Sequence, residues 1–401
     1  MNWEGGSFGY LRTLQKAVRN RGSVELMRCK KEGADSGRLV AVKRMPTAWV
    51  QHGPSAHEER FKYSSERPWR DLGILQELNR RSFPAACELL GVFRDETVTY
   101  VVTSLATEGE LFAWCQRAPA PGREREALMM PLVAQVLSAV QRLHEHGIAH
   151  RDLSLENILL TRTDAGGLEV KLIDFGMGGA ERMCLGGRAD IGKPSYQAPE
   201  MHLGGRYDAF LADAFALGVV IFTMAAREYP WAATKRGKCE RYQCFHFHGW
   251  EHFAEEMTLR DNSGRHLCQV FSEELSELIG GLLVKLPEGR AHLGESIYQG
   301  LGGEDSEESD ARCSVWDLRW HVDGISDVAS EREDLDRLSL DEADSSPGSS
   351  SPASLAVVAE EDPAGRCGRV CSGASAGSSK SASTAATSRS ASPRGGNASP
   401  P

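Results

Sequence analysis

The eight-residue stretch from His150 to Asn157, which reads His-Arg-Asp-Leu-Ser-Leu-Glu-Asn, constrains the fold of this 401-residue chain more than any other stretch. It follows an apolar run with three- and four-residue steps, Leu132 to Leu143, which predicts a helix. It precedes a short apolar run at residues 158–160, which predicts a strand. We therefore expect a tight loop that presents one carboxylate, Asp152, and one amide, Asn157, five positions apart.

This stretch resembles the catalytic loop of protein kinases, His-Arg-Asp-x-x-x-x-Asn. Phosphoryl transfer needs a carboxylate that orients and deprotonates the acceptor hydroxyl, and an amide oxygen that holds a metal on the phosphates. The resemblance implies that Asp152 is the catalytic base and that Asn157 is a metal ligand. Taken alone, the stretch is also compatible with an arginine–aspartate pair in a helix–strand turn, so the resemblance depends on further landmarks.

Two stretches compete for the phosphate-cradling loop of this family. Residues 4–9, Glu-Gly-Gly-Ser-Phe-Gly, match it better by composition, whereas residues 17–24 match it better by position. Val24 precedes the candidate lysine Lys43 by 19 residues, which is the spacing that the resemblance implies for a hairpin. We favour residues 17–24 and place Val24 against the nucleotide.

The favoured loop has one glycine, Gly22, and therefore offers few bare backbone N–H groups to the phosphates. Arg19 and Arg21 are candidates to supply positive charge there, although both are equally compatible with solvated turn residues.

The stretch Leu39-Val40-Ala41-Val42-Lys43 resembles the kinase strand whose lysine pairs with the α- and β-phosphates. The resemblance implies that Lys43 is catalytic and that both Ala41 and Lys43 contact the nucleotide.

In this family the strand lysine pairs with a glutamate on the following helix, but the matching acid here is Asp71, which is one methylene shorter. Pro68 is expected to start this helix, because proline is tolerated in the first turn. We predict that Asp71 replaces the glutamate and that the helix lies closer to the sheet. Glu66 and Glu77 are weaker alternatives.

Residues 99–106 predict a strand that runs into the hinge between two lobes. By resemblance, Thr103 is the gatekeeper of the adenine pocket, and the backbones of Ser104 and Ala106 meet the adenine. Glu110 matches an acid that binds ribose or a substrate arginine in many members of the family.

Residues 170–176 predict a strand that ends in Asp-Phe-Gly. The resemblance implies that Asp174 chelates the magnesium ion that bridges the β- and γ-phosphates. A metal that is bound to phosphate needs only one or two protein ligands, so Asp174 and Asn157 suffice.

Further landmarks follow in the order of the family. Residues 192–200 resemble the segment that ends in Ala-Pro-Glu, and Arg290 is placed to pair with Glu200. Asp213 heads the apolar run Ala214 to Ala226 and matches the aspartate that ties its helix to the catalytic loop.

The resemblance covers roughly residues 10–300 and implies an α+β, bilobal protein-kinase-like fold. We expect a β-rich N-terminal lobe at about 10–103 and a mainly helical C-terminal lobe at about 107–300. The hydrophobic content of 41% is enough for two such lobes plus a tail.

At two positions the chain differs from the family, and together the two differences exchange a lysine and a hydroxyl-bearing residue. Two residues after Asp152, Ser/Thr kinases usually carry lysine, and here the residue is Ser154; after Gly192 they usually carry threonine, and here it is Lys193. By resemblance these two side chains touch beside Asp152. We predict that Lys193 supplies the ammonium that steadies the γ-phosphate and that Ser154 bonds Asp152; the alternative is that Lys193 is an exposed loop residue.

The segment Met177 to Lys193 contains no serine, threonine or tyrosine. The arginine that matches Arg151 usually binds an activation-loop phosphate, which cannot form in this segment. Asp190 or Glu181 could provide a standing negative charge, and we predict activity without phosphorylation of this loop.

The tail differs in composition from the rest of the chain. Residues 304–344 hold 15 acidic residues and 4 arginines, so the net charge of −10 belongs to this acidic segment. Residues 345–401 are rich in Ser, Ala, Gly and Pro, and such segments bury too little apolar surface to offset chain entropy, so we expect a disordered tail. Alternating apolar residues within the acidic segment could dock on the catalytic body or on a partner: Trp316, Leu318, Trp320 and Val322.

The favoured function is a protein kinase that transfers the γ-phosphoryl of ATP, with Mg²⁺, to Ser or Thr of protein substrates. The loop lacks the signature of tyrosine kinases, and Glu156 follows the Ser/Thr pattern; with Glu110 it suggests tolerance of arginine before the acceptor. The alternative is a pseudokinase that serves as a nucleotide-binding scaffold or allosteric regulator.

We expect ATP and protein substrates as partners, and neither nucleic acid nor a membrane span, while the oligomeric state is left open. The longest apolar run, Ala214 to Ala226, is shorter than the roughly 20 residues that cross a bilayer. Ten cysteines without a paired framework suit a reducing compartment, so we expect an intracellular protein, either cytoplasmic or nuclear.

Overall fold

The computed structural model describes residues 2–4, 6–17, 22–30, 36–62, 64–187, 191–298 and 313–321 of the chain. These residues form a β-rich N-terminal lobe and a mainly helical C-terminal lobe, as predicted. The tail at 345–401 lies outside the described residues, as does most of the acidic segment at 304–344.

Five antiparallel strands form the sheet of the N-terminal lobe in the order β1-β2-β3-β5-β4. Their bounds are Phe8–Ala17 (β1), Gly22–Cys29 (β2), Leu39–Pro46 (β3), Leu89–Arg94 (β4) and Val98–Ser104 (β5). Because side chains alternate between the faces of a strand, Val40 and Val42 are buried in the core while Ala41 and Lys43 lie on the opposite face. That opposite face carries the predicted nucleotide positions of β3.

The turn of the β1–β2 hairpin falls within one of the two candidate phosphate loops. It lies between Ala17 and Gly22, which pair with each other, so the turn falls within residues 17–24. Phe8 and Gly9 of the other candidate loop lie at the other end of the hairpin. Residues 18–21, which include Arg19 and Arg21, are outside the described part of the chain.

Ordered structure begins before the predicted start of the domain at residue 10. The ring of Trp3 stacks on Phe8 and on Tyr100, with centroid distances of 5.0 and 3.9 Å. The Trp3 backbone N–H donates to the carbonyl of Arg94 at 2.9 Å. The first residues therefore extend the core of the N-terminal lobe, because their aromatic side chains bury apolar surface there.

Three helices follow β3: α1 (Thr47–Val50), α2 (Gly53–Arg60) and α3 (Pro68–Arg80). Helix α3 begins at Pro68, as predicted. Asp71 lies in the first turn of α3, where the helix dipole favours a carboxylate. Because α3 begins at Pro68, Asp71 lies at the start of the helix and not in its middle.

The C-terminal lobe combines helices with two small antiparallel sheets, β6-β7-β8 and β9-β10. Its strands are Gly109–Glu110 (β6), Ile158–Arg162 (β7), Leu168–Leu172 (β8), Met183–Leu185 (β9) and Arg206–Asp208 (β10). Its helices are Leu111–Arg117 (α4), Arg123–Glu145 (α5), Ala209–Ala226 (α6), Glu240–Glu256 (α7), Leu267–Val270 (α8) and Glu273–Leu282 (α9).

Helix α6 is buried along its whole length. It begins at Ala209, five residues before the apolar run from which it was predicted, and the Asp208 carboxylate caps it by accepting from the N–H of Phe210 at 3.0 Å. By length and composition α6 could cross a membrane, but every residue of it is enclosed by the protein. A helix that is apolar on all sides is typical of a core position, and α6 forms the centre of this lobe.

Residues 313–321 pack on the C-terminal lobe, beyond the domain end that was predicted near residue 300. They form two short 3₁₀ turns, Val315–Asp317 and Arg319–His321. The indole of Trp320 is buried and donates to the carbonyl of Val315 at 2.7 Å. Docking on the catalytic body is thus confirmed for Trp316, Leu318 and Trp320, whereas Val322 lies outside the described residues.

Candidate active site

The predicted base and the predicted metal ligand are in direct contact. The Asn157 side-chain amide donates to the Asp152 backbone carbonyl at 2.7 Å and to its carboxylate oxygen Oδ2 at 3.2 Å. A 3₁₀ turn, Leu155–Asn157, brings the two residues together after α5 and just before β7. Because the amide nitrogen is used on Asp152, the amide oxygen of Asn157 is the atom left for a metal.

Asp213 holds the backbone of the catalytic loop, as predicted. Its carboxylate accepts from the backbone N–H of His150 at 2.7 Å and from that of Arg151 at 2.8 Å. Arg151 has a φ of 65°, a left-handed conformation that costs a non-glycine residue about 1–2 kcal/mol. The two hydrogen bonds to Asp213 therefore stabilise a strained loop.

A buried histidine connects Asp213 to a second carboxylate. His144, at the end of α5, lies 3.1 Å from Asp213 Oδ2 and 2.6 Å from Glu295 Oε1. Burial disfavours the charged imidazole, but the hydrogen bonds and charges of the two carboxylates outweigh burial and raise the pKa of His144 to about 9. Burial opposes the ionisation of Glu295 as well, yet its bonds to His144 and His292 lower its pKa to about 2.

The C-terminal segment, residues 313–321, packs against the residues that directly precede Glu295 in the chain. The indole N–H of Trp316 donates to the Leu293 carbonyl at 2.7 Å. Gly294 has a φ of 88°, and a Cβ at this position would lie 2.7 Å from the Trp316 ring. Only glycine therefore allows this close approach, which joins residues 313–321 to the support beneath the catalytic loop.

Lys43, Asp71 and Asp174 form one charged cluster. Lys43 Nζ donates to Asp71 Oδ2 at 2.8 Å and lies 3.7 Å from Asp174 Oδ1. Burial would lower the pKa of Lys43, but the charges of Asp71 and Asp174 and the hydrogen bond to Asp71 raise it above its usual value. The predicted pairing of Asp71 with Lys43 is confirmed, and Glu77 instead pairs with Arg80 and Arg81 at the surface.

Asp71 also connects this cluster to the Asp-Phe-Gly turn. Its second oxygen accepts from the backbone N–H of Phe175 at 3.0 Å. Asp174 has a φ of 63°, so a left-handed residue is held between strand β8 and the turn. One short carboxylate thus fixes both the lysine and the turn that carries the predicted metal ligand.

Asp174 and Asn157 fit a hard cation that arrives with phosphates. The charge of Lys43 lowers the pKa of Asp174, so its carboxylate stays ionised despite burial. Oxygen ligands are those that Mg²⁺ prefers, and it needs few from the protein when phosphates supply the rest. Among the described residues, no group of three or more His, Cys, Asp or Glu side chains could hold a metal by itself.

The predicted adenine positions lie where β3 and β5 pair. Ala41 is opposite Thr103, and Val40 is opposite Ser104. Ser104 is fixed by a backbone bond to the Glu88 carbonyl at 2.9 Å, and Ala106 follows at the start of the connection to β6.

The register also aligns the other predicted phosphate-side residues. Val24 on β2 is opposite Lys43 on β3, so both lie beyond Ala41 toward the β1–β2 turn. Glu110 lies at the other side of the hinge, at the N-terminus of α4. Burial first, and then the negative charge of Glu156, raise the pKa of Glu110.

Lys193 reaches the catalytic loop from outside it. Its Nζ donates to Ser154 Oγ and to Glu156 Oε2, both at 2.7 Å. The contact between Ser154 and Lys193 is thus confirmed, whereas a bond from Ser154 to Asp152 stays a prediction. Burial opposes the ionisation of Glu156, but the charge and hydrogen bond of Lys193 lower its pKa.

A buried arginine binds the segment at residues 192–200, which ends in Ala-Pro-Glu and precedes α6. Arg290 donates to the two carboxylate oxygens of Glu200 at 2.6 and 3.0 Å, as predicted. Its guanidinium also lies 5.0 Å from the ring centroid of Phe215 on α6. A bidentate pair of this kind fixes both distance and orientation, so the segment is held rigidly on the core helix.

Comparison with known proteins agrees with this geometry. The family model described as "Protein kinase domain" matches residues 22–299. The chain belongs to the protein kinase family. Its kinase domain includes the cluster around Lys43, the catalytic loop and the Glu200–Arg290 pair.

Similar proteins are named as serine/threonine kinases. Serine/threonine-protein kinase SIK1 of Rattus norvegicus is 32% identical over 165 residues, which is 41% of this chain and 20% of the relative. Serine/threonine-protein kinase kin-29 of Caenorhabditis elegans is 32% identical over 172 residues, 43% of this chain and 20% of the relative. Serine/threonine-protein kinase SIK2 of Gallus gallus is 33% identical over 165 residues, which is 41% of this chain and 19% of the relative. The chain spans about one-fifth of the length of these relatives.

The activation segment of this kinase domain is described up to residue 187 and again from residue 191. The guanidinium groups of Arg151 and Arg70 both approach Gly179, each 3.8 Å from the position of an added Cβ. Within the described residues, no ion pair joins Arg151 to Glu181, and the standing negative charge considered above stays a prediction. Asp190 lies outside the described residues.

Three contacts at this site were not predicted from the sequence: those of His144 with Asp213 and with Glu295, and that of Lys193 with Glu156. His144 and Glu295 were not singled out, and Glu156 was interpreted only as a residue that recognises substrate arginine. Glu295 is 151 positions from His144, and no local pattern indicates that they meet. These contacts depend on how distant elements pack.

Proposed function

We propose that this chain is an active protein kinase that transfers the γ-phosphoryl group of Mg-ATP to Ser or Thr hydroxyls of protein substrates. The observation that supports it most is the direct contact of Asp152 with Asn157, opposite the cluster of Lys43 and Asp174. Phosphoryl transfer is catalysed mainly by positioning and by electrostatic stabilisation, and these four side chains are the groups it needs. The three similar proteins reported above are named as serine/threonine-protein kinases.

In this proposal Asp152 orients the acceptor hydroxyl and takes its proton. Asn157 and Asp174 would hold the magnesium ion, which supplies charge neutralisation on the phosphates. Lys43, positioned by Asp71, binds the α- and β-phosphates. Burial lowers the pKa of His150, which favours the neutral imidazole, and its ring packs against Phe175 at a centroid distance of 5.2 Å.

The nucleotide base and ribose are assigned to the hinge. Ala41 and Thr103 would line the adenine pocket, and the backbones of Ser104 and Ala106 would hydrogen-bond its edge. Val24 would cover the nucleotide from the β1–β2 side. The pairing of β3 with β5 supports this assignment, because it aligns these positions in one register.

We also propose that Lys193 supplies the ammonium that the family usually places two residues after the catalytic aspartate. The bond of 2.7 Å between Lys193 Nζ and Ser154 Oγ supports it. The charge of Lys43 lowers the pKa of Asp174 most, and the charge of Lys193 adds a smaller contribution in the same direction. Positive charge near the transferred phosphoryl group accounts for much of the rate of catalysis. The exchange of serine and lysine between positions 154 and 193 keeps an ammonium there, so it preserves activity.

Activity without phosphorylation of the activation loop is a further part of the proposal. Residues 177–193 offer no hydroxyl, and Asp213 already holds the Arg151 backbone in its strained conformation. Phosphatase treatment should therefore leave kcat unchanged. Loss of activity through dephosphorylation of Ser195 or Tyr196 would contradict this part.

A pseudokinase that binds nucleotide as a scaffold is the second candidate. The single glycine of the phosphate loop and the presence of Asp71 and Ser154 at their positions favour it. The Lys43–Asp71 pair at 2.8 Å weighs against it, because the shorter acid still reaches the lysine.

Transfer of radiolabelled phosphate from ATP to a degenerate Ser/Thr peptide library separates the two candidates. We expect label with the wild-type protein and a loss of at least about 1,000-fold with Asp152→Asn, because the hydroxyl is then neither oriented nor deprotonated. Equal label with both proteins would favour the scaffold.

We propose an intracellular location, cytoplasmic or nuclear. The eight cysteines within the described residues are all free, which suits a reducing compartment.

A further inference from the structure

We propose that Glu156 is a positioning residue for the phosphoryl transfer, because its carboxylate anchors the Lys193 ammonium beside the catalytic loop. It follows that Glu156 is not available to bind a basic residue of the substrate. This inference rests on the proposed kinase activity and on the proposed role of Lys193, and it assigns Glu156 a task that neither of them includes.

The contacts of the Lys193 ammonium define the anchor. An ammonium has three N–H donors, and two of them are used on Ser154 Oγ and Glu156 Oε2, both at 2.7 Å. Ser154 is fully buried, so its hydroxyl fixes one direction of the ammonium. The third donor is left for another acceptor, and a phosphoryl oxygen above Asp152 is the acceptor that the reaction provides.

The location of Glu156 makes this anchor useful for catalysis. Glu156 lies in the 3₁₀ turn Leu155–Asn157, and Asn157 of the same turn contacts Asp152 at 2.7 Å. A bond from Lys193 to this turn therefore sets the ammonium relative to the base and to the metal ligand. The charge comes from a distant segment, yet its position is defined by the catalytic loop.

The anchor is needed because Lys193 has a flexible side chain. Its four-carbon stem has many rotamers, and a free lysine would lose this rotamer entropy on reaching the phosphoryl group. A pair with Glu156 orders the ammonium before the substrate binds, so less entropy is lost in the transition state.

The alternative role for Glu156 is the one predicted from its sequence, recognition of an arginine in the substrate. That arginine would have to displace Lys193 from a contact of 2.7 Å in which the two side chains are only 36% and 28% exposed. Displacement would also release the ammonium from the catalytic loop. Glu110, for which the described residues show no ion pair, is the acid that remains for a basic substrate residue.

Steady-state kinetics with a serine peptide that has alanine at all other positions separates the two roles. Glu156→Gln should lower kcat about tenfold while the KM for this peptide stays within about twofold, because the peptide offers no basic group to Glu156. In a Lys193→Met background, Glu156→Gln should cause no further loss, since the two residues act through one contact. Glu169→Gln is the matched control, because it removes another lysine–glutamate pair of the same lobe, with Lys171.

Two kinetic results would overturn the inference. One is an unchanged kcat of Glu156→Gln on the alanine peptide together with a raised KM for a peptide that carries arginine, which would make Glu156 a substrate subsite. The other is a pair of losses from Glu156→Gln and Lys193→Met that simply multiply, which would mean that the residues act separately.

Amine acetylation measured by peptide mass spectrometry tests the anchor without turnover. The acetylation rate of Lys193 should rise at least about threefold in Glu156→Gln, while that of Lys171 stays constant; Glu169→Gln should show the reverse pattern. An unchanged rate at Lys193 would contradict the anchor. Wild-type transfer no greater than that of Asp152→Asn would instead contradict the proposed kinase activity, and the acetylation result would still measure the anchor.

Discussion

The catalytic loop is supported on two sides by charged residues, and the two supports differ in burial. Beneath the loop, His144, Asp213 and Glu295 have side chains that are 0–2% exposed. On the side of the substrate, Lys193 and Glu156 are 36% and 28% exposed. The same kinds of charge therefore lie in two different dielectric environments.

This difference assigns different tasks to the two supports. Removing one partner of a buried pair typically costs about 3–5 kcal/mol, because the other charge is left uncompensated. Exposed pairs contribute about 0–1 kcal/mol to stability, because water and salt screen them. The buried support should therefore determine whether the loop folds, whereas the exposed support should determine how fast the folded loop reacts.

The largest loss of stability is expected from Asp213→Ala. It removes the acceptor for the backbone N–H groups of His150 and Arg151 and leaves the charged His144 with Glu295 alone. The free energy of unfolding in urea should fall by about 3–5 kcal/mol. Asp261→Asn, at an exposed aspartate paired with Arg265, should change it by less than about 1 kcal/mol. Equal losses in both variants would remove the distinction between the two supports.

Glu295→Gln should cost about 3 kcal/mol, with a characteristic dependence on pH. The pKa of His144 is raised from 6.5 to about 9, so its stabilisation is complete below pH 6.5 and is lost as pH rises through about 9. The pKa of Glu295 is lowered from 4.5 to about 2, so its contribution is complete above pH 4.5 and is lost as pH falls through about 2.

The difference between wild type and Glu295→Gln should therefore be largest at pH 5–6 and should shrink as pH rises toward about 9. Urea unfolding of both proteins at pH 6 and pH 9 measures it. A difference that does not depend on pH would mean that His144 is not charged in the folded protein.

Trp316→Ala tests whether the C-terminal segment belongs to the buried support. The half-buried indole covers Gly294 and donates to Leu293, so its loss should cost about 2 kcal/mol in urea unfolding. Arg319→Ala, in the same segment but 63% exposed, should cost less than about 1 kcal/mol. Equal and small effects would place the segment outside the stable body of the domain.

The sequence predicts the site well where a contact joins two positions of a known pattern. Such positions predicted three sets of contacts that are present: the pair of Lys43 with Asp71, the pair of Arg290 with Glu200, and the hydrogen bonds from the catalytic loop to Asp213. The start of α3 was expected from Pro68, because proline is tolerated in the first turn of a helix, and the hairpin turn was expected from the spacing of Val24 and Lys43 that the resemblance implies.

The sequence fails where a contact depends on packing between elements that are far apart in the chain. Glu295 meets His144 only because the residues after α9 return to the end of α5. Helix α6 starts earlier than its apolar run suggests, since a capping aspartate and not hydropathy sets its first residue. Residues 313–321 were assigned to the tail because acidic residues surround them, although their two tryptophans bury enough apolar surface to dock.

The smallest loss of stability, under about 1 kcal/mol, is expected on the exposed side, from Lys193→Thr. Its kcat should nevertheless fall about 100-fold, because the ammonium near the transferred phosphoryl is removed. The double variant Ser154→Lys/Lys193→Thr restores the usual arrangement of the family, and its kcat should return to within about fivefold of wild type.

The kcat of Lys193→Thr, measured with its unfolding free energy, is the most direct test of a catalytic loop completed by a lysine from the activation segment. A fall of about 100-fold in a protein as stable as the wild type is the predicted result. A kcat close to that of the wild type would contradict it.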